Sequence, residues 1–284
     1  MTTIEIGGRK LELHELGDPN GFPVVCHHGT PASGLLLDSW AMPGVRLIGY
    51  DRAGYGGSTR DAGRTIASVA ADVLAIADAL GFDRFATWGI SGGGPHALAC
   101  AALCGDRCVA AASLAGVAPY PADGLDWLAG MGQDNIDEFG LVLQGEAACR
   151  PSAEGQREEM LAATPEQVYA LFDSLLGDAD RAVLTGDLAA FVHEATVHGL
   201  EHGVDGWIDD DLAFVEPWGF DLDAIACPVL VVQGGDDRFV PRSHGEWLAA
   251  HLPGAEAWID DENGHLTLVT TRVPQVHEWL LQKS

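Results

Sequence analysis

The sequence predicts an α/β fold, a mostly parallel central sheet flanked by helices, with a helical cap inserted between two of its strands. Three observations carry this. Short β-rich runs alternate with helical patterns through most of the 284 residues, the rhythm of βα units. Several of those runs are apolar on both faces, as strands covered by helices on both sides must be. The rhythm breaks between about Pro119 and Pro217, where the chain reads as helical and acidic until strand character returns at "CPVLVVQGG".

Taken in order, the opening stretch "MTTIEIGGRKLELHEL" alternates like a strand pair, over about residues 3–7 and 9–15, and an antiparallel pairing is expected. The parallel strands are expected at "PVVCHH" (Pro23 to His28), "VRLIGY" (Val45 to Tyr50), "RFATWGI" (Arg84 to Ile90), "VAAASLAG" (Val109 to Gly116), "PVLVVQG" (Pro228 to Gly234) and "AEAWID" (Ala255 to Asp260). The expected division is a core of residues 1–118 and 218–284 and a helical cap of residues 119–217. Trp127, Phe139, Phe172, Phe191, Trp207, Phe214 and Trp218 are scattered through or beside the insertion, where they can pack it against itself or face a ligand.

Composition narrows the function. Fifteen Lys and Arg stand against 42 Asp and Glu, a formal charge of -27, so the surface repels phosphate backbones and anionic lipid headgroups. Nucleic acid and membrane partners are not expected; a small-molecule substrate is, and composition leaves the oligomeric state open. The start has neither a basic n-region nor an apolar h-region, and a cytoplasmic location is expected. The six cysteines lack the spacing of a disulfide scaffold and read as small core residues. His96, Cys100 and Cys104 could be metal ligands at helical spacing, but the same spacing is the buried stripe of "PHALACAALC", and no metal or cofactor is expected.

The chemistry centres on "WGISGGGPHALACAA", Trp88 to Ala102. No lysine follows the glycines and the turn follows a later strand, so neither a P-loop nor a dinucleotide fingerprint fits. Gly89-Ile90-Ser91-Gly92-Gly93 instead reads as G-x-S-x-G between a strand and a helix, where a strained serine is lifted clear of the sheet. Side chains at 89 and 93 would collide with neighbouring backbone. A serine hydroxyl needs a base, commonly a histidine held in one tautomer by a carboxylate. His265 in "DDENGHLTLV" is the candidate base, and Asp236 and Asp237 in "VVQGGDDRFVP" are the candidate carboxylates at a strand's C-terminal end. "CHHGTPASG" supplies a loop in which Gly29 lets the Thr30 N–H face the nucleophile. With the Gly92 N–H it would make an oxyanion hole, and His28 reads as a loop-holding residue.

These segments together resemble the α/β-hydrolase-fold serine hydrolases over essentially the whole chain apart from the cap. "HHGTP" resembles the H-G-x-P oxyanion loop, "YDRAGYGGS" the D-x-x-G-x-G-x-S turn, "GISGGG" the nucleophile elbow, "GGDDRFVP" the G-x-x-D-x-x-V-P acid loop and "NGH" the G-H loop. The resemblance implies Asp237, not Asp236, as the triad acid, and structural roles for Asp51 and Ser58. Ser91 argues against the dehalogenases and epoxide hydrolases of similar architecture, which carry an aspartate at the elbow. The implied function is hydrolysis of a carboxylic ester, thioester or lactone through an acyl-enzyme. Proline iminopeptidase-like aminopeptidases and carbon–carbon bond hydrolases share the triad and remain alternatives. So does a non-catalytic ligand-binding homologue, although no triad member is missing.

A metallopeptidase is a further alternative, since "HGLEH" (His198 to His202) matches H-x-x-E-H, against which stands a glycine within the proposed helix. The cap is expected to wall the substrate pocket, with Trp207, Phe214 and Trp218 as candidate lining residues. Glu194, Glu201 and Glu216 are cap carboxylates that could meet a cationic group, or solvated surface positions.

Overall fold

The computed structural model describes residues 2–284, and its strands form one eight-stranded sheet. The strands are β1 (Thr2–Ile6), β2 (Arg9–Gly17), β3 (Phe22–His27), β4 (Val45–Tyr50), β5 (Phe85–Ile90), β6 (Cys108–Leu114), β7 (Val229–Gly234) and β8 (Glu256–Asp260). Their spatial order is β1-β2-β4-β3-β5-β6-β7-β8. Antiparallel pairing is confined to β1 with β2 and β2 with β4; every other pair is parallel. The predicted strands are all present. β6 stops two residues short of its predicted end because Ala115 takes a φ of 45°, which turns the chain out of the ladder.

Period-2 alternation splits the apolar strands between two cores. Val229 and Val231 pack on one face of the sheet, and Leu230 and Val232 on the other. The first face is covered by α1 (Val69–Leu80), α2 (Gly93–Leu103) and α9 (Arg242–His251), the second by α10 (Thr267–Thr271) and α11 (Val273–Lys283). All seven residues of β6 and all six of β7 are buried, which is why these runs carry no polar alternation.

Between β6 and β7 the chain forms helices only: α3 (Gln133–Val142), α4 (Glu146–Ala162), α5 (Val168–Leu171), α6 (Asp178–Val183), α7 (Gly186–Leu200) and α8 (Asp205–Val215). No helix among the described residues is long and apolar enough to cross a membrane.

Candidate active site

Ser91 sits at the sharp turn from β5 into α2 with φ 55°, a left-handed conformation that costs a non-glycine residue about 1–3 kcal/mol. Backbone bonds hold it there: its N–H donates to the Leu114 carbonyl (2.8 Å) and its carbonyl accepts from Gly94 N–H (2.9 Å). A Cβ at Gly89 would strike the Gly93 carbonyl, and one at Gly93 the His27 carbonyl. Only hydrogen fits at either position, so the strain at Ser91 is locked in by its neighbours. α2 begins directly behind it and points its N-terminal dipole at the hydroxyl.

His265, 4% exposed, lies in the turn before α10, with its Nδ1 2.8 Å from Asp237 Oδ2. A carboxylate can only accept, so Nδ1 carries the proton and Nε2 is left basic. Asp237 is fixed in turn by the N–H groups of Phe239 (2.9 Å) and Val240 (2.8 Å) on Oδ1 and by Gln233 Nε2 (3.2 Å) on Oδ2. Burial alone would lower the His265 pKa, but the Asp237 carboxylate, with help from Asp180, raises it above the ordinary value. Asp236 points elsewhere: its Oδ2 accepts the Ala179 N–H (3.0 Å) at the start of α6.

Two residues at this site carried no sequence signal. Phe239 stacks on the His265 ring at 4.5 Å and 21°, fixing the plane of the imidazole. Asp180, fully buried on α6, accepts three backbone N–H groups: His265 (2.7 Å) on Oδ2, and Leu266 (2.7 Å) and Thr267 (3.0 Å) on Oδ1. An aspartate in the first turn of a helix reads as a cap of its own helix, yet this one caps the turn that presents His265. Asp180→Asn puts an amide N–H₂ against one of those donors. The expected result is a loss of about 1–2 kcal/mol of stability and a fall in kcat of up to about 10²-fold, the scale of a misplaced catalytic group. Thermal melts beside steady-state kinetics check both, and unchanged kinetics would show that the turn holds itself.

Ser91 and His265 line one cavity, walled by Trp40 and Leu36 of the core and by Phe191, Val192, Ala195 and Thr196 of α7. Ser91 also lines a second cavity, together with Thr30, Gly92, Trp207 and Phe214. The second is the more acidic, with Glu138 and Asp211 in its wall. Trp207 donates its indole N–H to Glu138 (2.6 Å). Burial raises the Glu138 and Asp211 carboxyls above the ordinary range, Asp211 further because Glu138 lies beside it.

Trp218 corrects an expectation. It lines neither cavity: α8 has ended at Val215, and the chain has turned back onto the core, where Trp218 packs by Phe220 at 5.8 Å and its carbonyl accepts Ala67 N–H. Glu194, Glu201 and Glu216 are exposed and line neither cavity, so the solvated reading fits them.

Residues 23–270 match the description of the alpha/beta hydrolase fold. The chain belongs to the alpha/beta hydrolase fold family. It is 27% identical to a non-heme chloroperoxidase of Streptomyces lividans, over 86% of this chain and 85% of that protein. It is also 27% identical to a 2-hydroxy-6-oxononadienedioate/2-hydroxy-6-oxononatrienedioate hydrolase of Paraburkholderia phymatum, over 91% and 86%. A thermophilic esterase structure from Thermogutta terrifontis superposes with a TM-score of 0.70 at 22% identity, covering 99% of this chain and 97% of that one.

In this alpha/beta hydrolase fold protein the Gly29–Thr30 loop abuts the elbow, since a Cβ on Gly29 would stand 3.4 Å from Ser91 Cβ. The loop is fixed by a charged hub. His28 bridges it, with Nδ1 on the Gly29 carbonyl (2.7 Å) and Nε2 accepting Arg52 N–H (3.1 Å). Thr30 Oγ1 donates to Asp210 Oδ2 (2.9 Å) and accepts from Arg52 Nη2 (3.1 Å). Asp210, on α8 and wholly buried, also pairs with Arg52 (2.5 Å) and Arg64 (2.6 Å) and accepts the Tyr55 hydroxyl (2.9 Å). Burial would raise the Asp210 pKa, yet the two guanidiniums hold it well below the carboxylate range. Asp210→Ala strands both cations in the interior and is expected to cost about 3–5 kcal/mol; a chemical denaturation curve measures it.

Asp209, Asp210 and Asp211 are all buried, and Asp209 takes a bidentate Arg60 (2.9 and 2.8 Å). Asp51 Oδ1 accepts Gly34 N–H (2.8 Å) and Ser58 Oγ donates to the Asp51 carbonyl (2.6 Å), bonds of the kind the structural roles implied by the resemblance require. H-x-x-E-H does not assemble, because His198 turns to Asp51 (3.1 Å) while His202 stays at the surface. His96, Cys100 and Cys104 are core residues; His96 Nδ1 bonds the Gly92 carbonyl (2.8 Å).

Proposed function

We propose that this protein is a serine hydrolase that cleaves a carboxylic ester, thioester or lactone through an acyl-enzyme. The observation that carries the proposal is a strained Ser91 lining the same cavity as His265, whose Nδ1 is bonded to Asp237. Ser91 Oγ attacks the carbonyl carbon as His265 Nε2 takes its proton. The C=O electron pair moves onto oxygen, where the Thr30 and Gly92 amides, which donate to no protein acceptor among the described residues, stabilise it. Collapse expels the alkoxide or thiolate, which collects the proton from His265. Water then repeats the sequence on the acyl-enzyme, releasing the acid and restoring the serine. Residues 119–217 act as the cap: α7 and α8 wall the two cavities, with Trp207 and Phe214 in the second.

The two cavities meeting at Ser91 support a substrate whose acyl and leaving groups lie on opposite sides of the scissile bond. The apolar walls of the first suit an aliphatic or aromatic group. No Lys or Arg among the described residues lines the second beside Glu138 and Asp211, so a substrate carboxylate there would lack a cationic partner, which weighs against a dicarboxylate substrate of the kind named for the Paraburkholderia relative. The same pair favours one second reading, aminopeptidase-like cleavage with a substrate ammonium beside those carboxyls.

A screen of p-nitrophenyl esters of increasing acyl length, with lactones and aminoacyl-p-nitroanilides alongside, tests the proposal. Ester or lactone turnover with fluorophosphonate labelling supports it. Turnover of the anilides alone supports the second reading, and neither turnover nor labelling overturns both.

A further inference from the structure

Glu12, His14, Asp51 and His198 each offer one ligand atom, and the four atoms lie within 4.8 Å of one another. We propose that these four side chains form a structural site for a divalent transition metal, zinc by their chemistry, that ties α7 to the sheet. The site is separate from Ser91, and the ion takes no part in the acyl chemistry.

The fold builds the cluster from three segments. Glu12 and His14 are two residues apart on β2 and so share a face of the sheet. Asp51 follows β4 directly and is set opposite them, its N–H donating to the Glu12 carbonyl (3.0 Å). His198 arrives in the last turn of α7, docked there by a bond from Gly56 N–H to the Gly199 carbonyl (3.0 Å). His14 Nε2 lies 3.3 Å from Asp51 Oδ1, His198 Nε2 3.1 Å from Asp51 Oδ2, and His198 Nε2 4.0 Å from Glu12 Oε1. Tetrahedral zinc with bonds of about 2.0–2.2 Å sets its donors about 3.3 Å apart. The longest of the three separations involves Glu12, the side chain with the most rotatable bonds.

Two further features fit an ion. A Cβ on Gly57 would strike the Glu12 carboxylate and one on Gly56 the Asp51 carboxylate, so the glycine turn closes over the carboxylates without filling the space between them. Neither carboxylate pairs with Lys or Arg among the described residues. Two carboxylates and two neutral imidazoles carry a charge that one divalent cation neutralises, and the mixed N/O set suits zinc over magnesium or calcium. The consequence is mechanical: α7 walls the first cavity with Phe191 and Val192, so an ion at this seam stiffens the pocket.

The test uses the whole chain, stripped with chelator and then offered Zn²⁺ or Co²⁺ in a large excess of Mg²⁺, which suppresses weak binding to a protein of charge -27. One Zn²⁺ per chain should survive gel filtration, and it should raise the melting temperature. Co²⁺ should show the intense visible bands of a four-coordinate site. Glu12→Gln and the double variant His14→Gln, His198→Gln should bind at least about tenfold more weakly. The proposal fails if the wild type retains no zinc, or if the double variant retains as much. Should the variants not fold, the wild-type cobalt spectrum decides alone, since weak six-coordinate bands or none would overturn the site.

Discussion

Ser91→Ala is expected to give a folded protein whose ester turnover falls by about 10⁵–10⁶-fold, the scale of losing a serine nucleophile outright. The fold should survive because the hydroxyl faces a cavity and the turn is held by backbone bonds to Leu114 and Gly94, which alanine keeps. Residual activity, if measurable, would come from the amides of Thr30 and Gly92 and from substrate binding, which the substitution leaves in place. A fluorophosphonate probe should label the wild type and miss the variant. Labelling of another serine, or undiminished turnover, would remove Ser91 from the mechanism.

The second large effect separates two adjacent aspartates. Asp237→Asn should lose about 10³–10⁴-fold in turnover, because an amide in place of the acceptor no longer selects the Nδ1–H tautomer of His265. Asp236→Asn should lose far less, since Asp236 bonds α6 and not the imidazole. The pH profile gives an independent reading. His265 is a base only when neutral, and its pKa is raised by Asp237, so kcat/KM should fall with decreasing pH through a value above the ordinary 6.5 of histidine. In Asp237→Asn burial prevails, and that acid limb should move to lower pH as the plateau drops. An unmoved limb, or equal losses in the two variants, would show that Asp237 does not govern His265.

The parts of the site visible in the sequence were those whose chemistry and backbone demands coincide. The elbow needs glycine at 89 and 93 for steric reasons and serine at 91 for chemical ones, so the motif carries both signals in five residues. The buried strands were visible because an apolar run without alternation has few other uses in an α/β chain. What escaped were side chains that act across long sequence distances through generic interactions. Asp180 meets backbone amides 85 to 87 residues away, and backbone amides leave no mark in a sequence. Asp210 hides in a run of three aspartates whose partners, Arg52, Arg60 and Arg64, lie about 150 residues earlier. Trp218 was misplaced because a large aromatic near the end of an insertion has the same composition whether it faces a ligand or the core.

Asp180 also limits how freely this protein can exchange parts. The α/β core invites treatment as a chassis onto which any helical insertion can be grafted between β6 and β7. Here the acceptor for the amides of His265, Leu266 and Thr267 belongs to that insertion, and Asp236 of the chassis in turn caps the helix that bears it. A chimera that kept every candidate catalytic residue but took its insertion from another protein would inherit a His265 turn with three unsatisfied donors. Swaps, whether made by recombination in nature or at the bench, should succeed only when the incoming segment brings its own carboxylate to that spot.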